Sequence, residues 1–153
     1  MVNLTAARTE LDDLIRRAPG TVGLVIEDLT TGERLEWSPE TQFLAASIIK
    51  IPILVEGLRQ AEEGTVRLDQ MVPVPDDAKV GGFGILKELT SVTSISLLDL
   101  LTLMIIVSDN TATNLCIDVL GVESINRTIA SLGLTGTQLQ RKMMDYEARD
   151  RGL

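Results

Sequence analysis

The sequence predicts an α/β plus all-α chain, with a helix-and-hairpin region at residues 1–46 and a helical lobe at residues 47–153. Three observations carry that prediction. An amphipathic helical pattern opens the chain, and two short runs around a turn glycine follow it. After residue 46 come four apolar runs of helical length, separated by Gly, Pro or Ser-Asp-Asn breaks. With 44% hydrophobic residues in 153, there is apolar material for one ordinary core or two small lobes.

Taken in order, Leu4, Ala7, Leu11, Leu14 and Ile15 recur at helical spacing, with Asp12, Asp13, Arg16 and Arg17 on the other face. Residues 3–17 are therefore an amphipathic helix, ended by Pro19-Gly20. Thr21 to Asp28 is rich in β-branched residues, Thr30-Thr31-Gly32-Glu33 carries the turn, and Arg34 to Trp37 returns as the second strand of a hairpin. Ser38-Pro39-Glu40 breaks that strand. The next helix runs from about Ala46 to Glu63, where Gly64 supplies a left-handed cap. Pro52 removes a backbone donor early in it, which places Ser47 very near its start. From Thr65 to Asp77 the pattern is irregular and extended around Pro73 and Pro75. A glycine-rich loop, Gly81-Gly82-Phe83-Gly84, comes next. Ser96 and Asp99 form a capping box for an apolar helix from Leu97 to Val107. Ser108-Asp109-Asn110 breaks it, and Asp109 caps a further helix from Asn110 or Thr111 to Leu120. Gly121 ends that helix, and Val122 to Leu132 forms another, closed by Gly133.

Charge narrows the function. The count of 22 acidic against 14 basic residues, a net charge of −8, argues against a nucleic-acid partner and against an anionic membrane surface. The longest apolar stretch, Leu97 to Val107, is interrupted by Asp99 and Thr102 and is too short to span a bilayer. Residues 1–20 have neither the apolar core nor the small-residue cleavage site of a signal peptide, so the compartment is open. Cys116, the single cysteine, sits in an apolar helical pattern as a small buried hydrophobe. With no histidine and no second thiol, neither a metal site nor a cofactor is expected.

The absence of histidine also excludes a Ser-His-Asp triad. Another base must serve any nucleophile, and Ser47-Ile48-Ile49-Lys50 offers one. Residues three apart share a helix face, so the Ser47 hydroxyl and the Lys50 amine point into one pocket. A buried lysine with a lowered pKa can take the serine proton. Ser-x-x-Lys arises by chance in roughly half of chains this long, whereas Ser-Asp-Asn is expected in about one in fifty. Ser108-Asp109-Asn110 therefore carries the greater weight.

With these two motifs in order, the sequence resembles the class A β-lactamase family of serine hydrolases. Phe43-Leu44-Ala45-Ala46, Gly82-Phe83-Gly84-Ile85-Leu86, and Asp109-Asn110-Thr111-Ala112 with Asn114 extend the resemblance, which runs from about Asn3 to the last residue. It implies a serine β-lactamase-like (DD-peptidase-like) fold, of which these residues hold the N-terminal helix, the first hairpin and most of the helical lobe. The Lys-Thr-Gly motif and the C-terminal strands do not occur in the 153 residues, so a complementary C-terminal segment of the same fold is an expected partner. The family is usually extracytoplasmic.

The resemblance also implies roles. Ser47 is the nucleophile acylated by a β-lactam or related acyl substrate, Lys50 the base, and Ser108 the proton relay to the leaving nitrogen. Asn110 holds the substrate's side-chain amide or the lysine, and Phe83 borders the cleft. The family's loop glutamate, which activates the deacylating water, falls on Met143 in Leu139-Gln140-Arg141-Lys142-Met143, and Glu147 is the only glutamate nearby. Three readings stay open: a β-lactam hydrolase, a penicillin-binding or esterase-type acyl-serine enzyme, and a catalytically silent half that needs its complement.

Overall fold

The computed structural model describes residues 4–152, with the side chain of Thr5 excepted. Asn3, which the helical pattern included, lies outside the described residues. The chain forms two compact units that divide between Leu44 and Ala45.

In the first unit, α1 spans Leu4–Arg17, and β1 (Leu24–Glu27) pairs antiparallel with β2 (Arg34–Trp37), Leu24 opposite Trp37 and Glu27 opposite Arg34. The turn is built by Asp28, whose carboxylate accepts from the amides of Thr30 at 2.8 Å and Thr31 at 3.2 Å. The first strand starts later than its β-branched run suggests. At Gly23 a β-carbon would come within 2.5 Å of the Phe43 ring, so that stretch meets a side chain instead of a partner strand. Trp37 ties the hairpin to α1, donating its indole N–H to Asp12 at 2.7 Å while the Arg8 guanidinium lies 5.5 Å over its ring.

The second unit begins with a 3-10 turn, Ala46–Ile49, which runs into α2 (Lys50–Glu62). It continues through β3 (Met71–Pro73), β4 (Ser94–Ser96), α3 (Leu97–Ile106), α4 (Asn110–Leu120), α5 (Val122–Ser131) and α6 (Tyr146–Asp150). Ser47 thus sits on a 3-10 turn, where the pattern suggested α-helix throughout. Pro52 has no N–H to offer the Ile48 carbonyl, and the turn tightens instead, Ile48 N donating to Ala45 O at 3.0 Å. The antiparallel β3–β4 pair, Met71 opposite Ser96, is a second departure, because residues 65–77 read as irregular. Three residues are too few to show a period. In a two-stranded sheet both strands are edges, which tolerate Pro73.

Ile53 of α2, Leu97, Leu100, Leu101 and Met104 of α3, Cys116 and Ile117 of α4, and Ile125 and Ile129 of α5 form one buried core. Gly57 lets α2 approach closely, since a β-carbon there would lie 3.1 Å from a Leu101 methyl and 3.5 Å from a Leu120 methyl. Burial pushes the Cys116 thiol up to about 12, so it packs as a hydrophobe. One carboxylate is buried with the core. Glu56, 0% exposed, accepts from Arg59 at 2.7 and 2.8 Å, Gln60 at 2.6 Å and Thr128 at 2.5 Å, which joins α2 to α5. Burial alone would raise its pKa, but those hydrogen bonds and the guanidinium charge hold it down at about 2. Among the described residues no helix is long and apolar enough to cross a membrane.

Candidate active site

The site lies where the start of α2, the α3–α4 turn and the loop at 81–86 converge. In a 3-10 helix residues three apart lie along one line, so Ser47 on this turn and Lys50 at the start of α2 share a face. Ala46, just before the serine, holds φ at +45°, and Ser108 holds +53°. Such left-handed backbone at residues with a β-carbon costs of order 1–3 kcal/mol and persists only where the surroundings fix it. At Ser108 the geometry turns both the carbonyl and the hydroxyl toward α2.

Lys50 is 2% exposed. Its Nζ donates to the Ser108 carbonyl at 2.7 Å, to Ser108 Oγ at 2.9 Å and to Asn110 Oδ1 at 3.0 Å. Ser108 Oγ in turn donates to Ser47 Oγ at 2.9 Å. The three residues form a hydrogen-bonded path from a buried amine to a serine hydroxyl. Desolvation holds the Lys50 amine below its ordinary 10.5, and the Asp109 charge opposes that shift.

Asp109, 1% exposed, does more than cap α4. One carboxylate oxygen accepts from Ala112 N at 2.9 Å, and the other from Ile85 N at 2.7 Å and Leu86 N at 2.8 Å. Gly84 makes that approach possible. It holds φ at +119°, and a β-carbon there would sit 2.3 Å from the Asp109 carboxyl carbon. Further bonds fix the rest of the loop: Asn110 N donates to Phe83 O at 3.0 Å, Asn110 Nδ2 to Gly81 O at 3.2 Å, and Lys87 Nζ to Gly82 O at 2.9 Å. Phe83 projects from this fastened loop with 76% of its surface exposed. Spacing along the chain gave no sign of the second Asp109 contact, because it depends on a loop that folds back from 23 and 24 residues away.

Of the residues singled out from the sequence, Ser47, Lys50, Ser108 and Asn110 come together, and the Phe83 loop is bonded to Asn110. The Met143 side chain is partly buried against the core, and its main chain is bracketed by one amide: Asn114 Nδ2 donates to Met143 O at 3.1 Å and Asn114 Oδ1 accepts from Met143 N at 2.8 Å. Asn126 brackets Leu139 in the same way, at 2.9 and 2.8 Å. Glu147 is exposed on α6, which Asp145 caps by accepting from Ala148 N at 2.9 Å.

Comparison with known proteins matches the model of the beta-lactamase enzyme family over residues 6–152. Among solved structures, a beta-lactamase from Sphaerobacter thermophilus is 34% identical with a TM-score of 0.84, over 94% of this chain and 54% of that one. PBP-A is 33% identical with a TM-score of 0.85, over 95% and 56%, and a PBP-A mutant has been solved as its acyl-enzyme complex with penicillin G. A beta-lactamase regulatory protein from Streptomyces cacaoi is 25% identical over 95% of this chain and 47% of its own length. The chain spans about half the length of these relatives.

Proposed function

Because the chain belongs to the beta-lactamase enzyme family and carries the N-terminal portion of that fold, we propose that it supplies the acylation machinery of a serine hydrolase acting on β-lactam amides. The hydrogen-bonded path Lys50–Ser108–Ser47 supports this reading above all. Burial lowers the Lys50 pKa and so makes the amine easier to deprotonate, and as the neutral base it takes the Ser47 proton, by way of Ser108, as the hydroxyl oxygen attacks the substrate carbonyl. Ser108 carries the proton onward to the nitrogen as the amide C–N bond breaks, which leaves an ester on Ser47. Water then hydrolyses that ester and frees the acid. Ser47 precedes the first turn of α2, so its own amide N–H and the positive end of that helix favour the developing oxyanion. Phe83 offers an aromatic face at the cleft for the acyl substituent.

The loop residue at 143 favours a second reading of the deacylation step. A partly buried thioether cannot activate water, and Glu147 is solvated on α6. The ester therefore persists, and the whole protein behaves as a penicillin-binding or slow esterase-type acyl-serine enzyme.

Treatment of the protein, or of a longer product that contains it, with a penicillin or a fluorophosphonate and mapping of the adduct by mass spectrometry tests the assignment. The adduct is expected on Ser47. Labelling at Ser108 with Ser47 unmodified would overturn it.

A further inference from the structure

The segment after α5 returns to the site by a route that none of these roles uses. Met144 bears a β-carbon yet holds φ at +61°, in the left-handed region. Its sulfur accepts from the Tyr146 hydroxyl at 3.8 Å, and the Arg149 guanidinium lies 4.9 Å over the Tyr146 ring. On its other side the thioether lies against Gly82. A β-carbon at Gly82 would fall 3.3 Å from Met144 Sδ and 2.6 Å from Asn110 Nδ2, so the two side chains share the space that the glycine leaves open. The Asn110 amide, in turn, donates to Gly81 O at 3.2 Å and accepts from Lys50 Nζ at 3.0 Å.

An asparagine amide can turn over, and the wrong face would present N–H groups to an amine that is itself a donor. What fixes the correct face here is the Gly81 carbonyl, and what shares the open side of Gly82 with the amide is Met144. We propose that Met144 is a positioning residue: held by Tyr146, its thioether fills the notch left by Gly82 beside the Asn110 side chain and keeps the amide oxygen turned toward Lys50. Met143, its neighbour, faces the core and leaves this task to Met144. The inference takes from the proposed function only the assignment of Lys50 as the base.

Its test needs no substrate, so it is independent of whether Ser47 is acylated. The chain has four lysines, Lys50, Lys79, Lys87 and Lys142, and their side-chain carbons can be followed by NMR through a pH titration after assignment with Lys50→Arg. Asn110 Oδ1 accepts from the Lys50 amine and so favours its charged form, whereas an amide turned over would present N–H groups and disfavour that form; Met144→Ala leaves Asp109 untouched. The Lys50 titration is expected to move downward in Met144→Ala and to return toward the original midpoint in Met144→Leu, which restores the bulk. A thermal melt establishes that each variant is folded. A folded Met144→Ala whose Lys50 titrates as in the unsubstituted protein, or higher, would overturn the proposal, because water admitted by loss of packing alone would relieve desolvation and raise the lysine.

Discussion

Asp109 stands between two residues whose chemistry is easier to name, and it holds more of the site than either. Its carboxylate satisfies three amide donors from two segments, and all of them lose their acceptor in Asp109→Ala. Each orphaned buried donor costs about 1–3 kcal/mol, so a loss of roughly 3 kcal/mol or more is expected in urea unfolding. A loss under about 1 kcal/mol would mean that water replaces the carboxylate without penalty. Ser47, Lys50, Ser108 and Asn110 were legible because two short motifs in a chain without histidine leave few ways to activate a serine. The grip of Asp109 on Ile85 and Leu86, and the place of Met144 over Gly82, were not. Both depend on which loop lies across which helix, and no local spacing encodes that.

The long helices were legible from periodicity, and their ends from Ser96, Asp109 and Gly121. The three-residue strands β3 and β4 were too brief for a period, and the 3-10 turn at Ser47 follows from one missing proline N–H. Glu56 illustrates a signal that was present: Ile53, Glu56, Gly57 and Gln60 share the face of α2 that is buried. That carboxylate makes the α2–α5 joint sensitive to acid. Its folded pKa of about 2 lies below the ordinary 4.5, so the stability it confers is complete above pH 4.5 and disappears as the pH falls toward 2. The shift corresponds to about 3 kcal/mol. Glu56→Gln should flatten the stability profile across that window while lowering stability at neutral pH, as denaturant melts at several pH values would show. A mutant profile parallel to that of the parent would refute the assignment. The loop at 139–145 carries its own prediction. In a product complete enough to turn over, hydrolysis should show a burst followed by a slow phase, and Met143→Glu should raise the slow rate at least tenfold by adding a general base. A fast steady state abolished by Glu147→Gln would show that the solvated glutamate serves instead.

For the molecule as a whole, the 153 residues contain no Lys-Thr-Gly motif, and they match about half of each relative. The residues proposed as base, relay and nucleophile are present, whereas no motif in these residues supplies a second oxyanion donor or a cation for a substrate carboxylate. One missing oxyanion donor costs about a hundredfold to a thousandfold in rate. Residues 1–153 alone are therefore expected to turn over a chromogenic cephalosporin no faster than a Ser47→Ala control, and a Lys-Thr-Gly-bearing segment of the same fold supplied in trans should restore Ser47-dependent turnover. Ser47-dependent turnover by the isolated, intact chain would show that its residues suffice. The brackets made by Asn114 and Asn126 matter for how such a protein changes over generations. Both amides grip only peptide N–H and C=O groups, so the path of the loop is set without regard to the side chain at 143. If the proposed function holds, a single exchange there would alter how long the ester survives while the architecture stays intact, which would put the step between a drug-trapping protein and a drug-destroying one within reach of one codon.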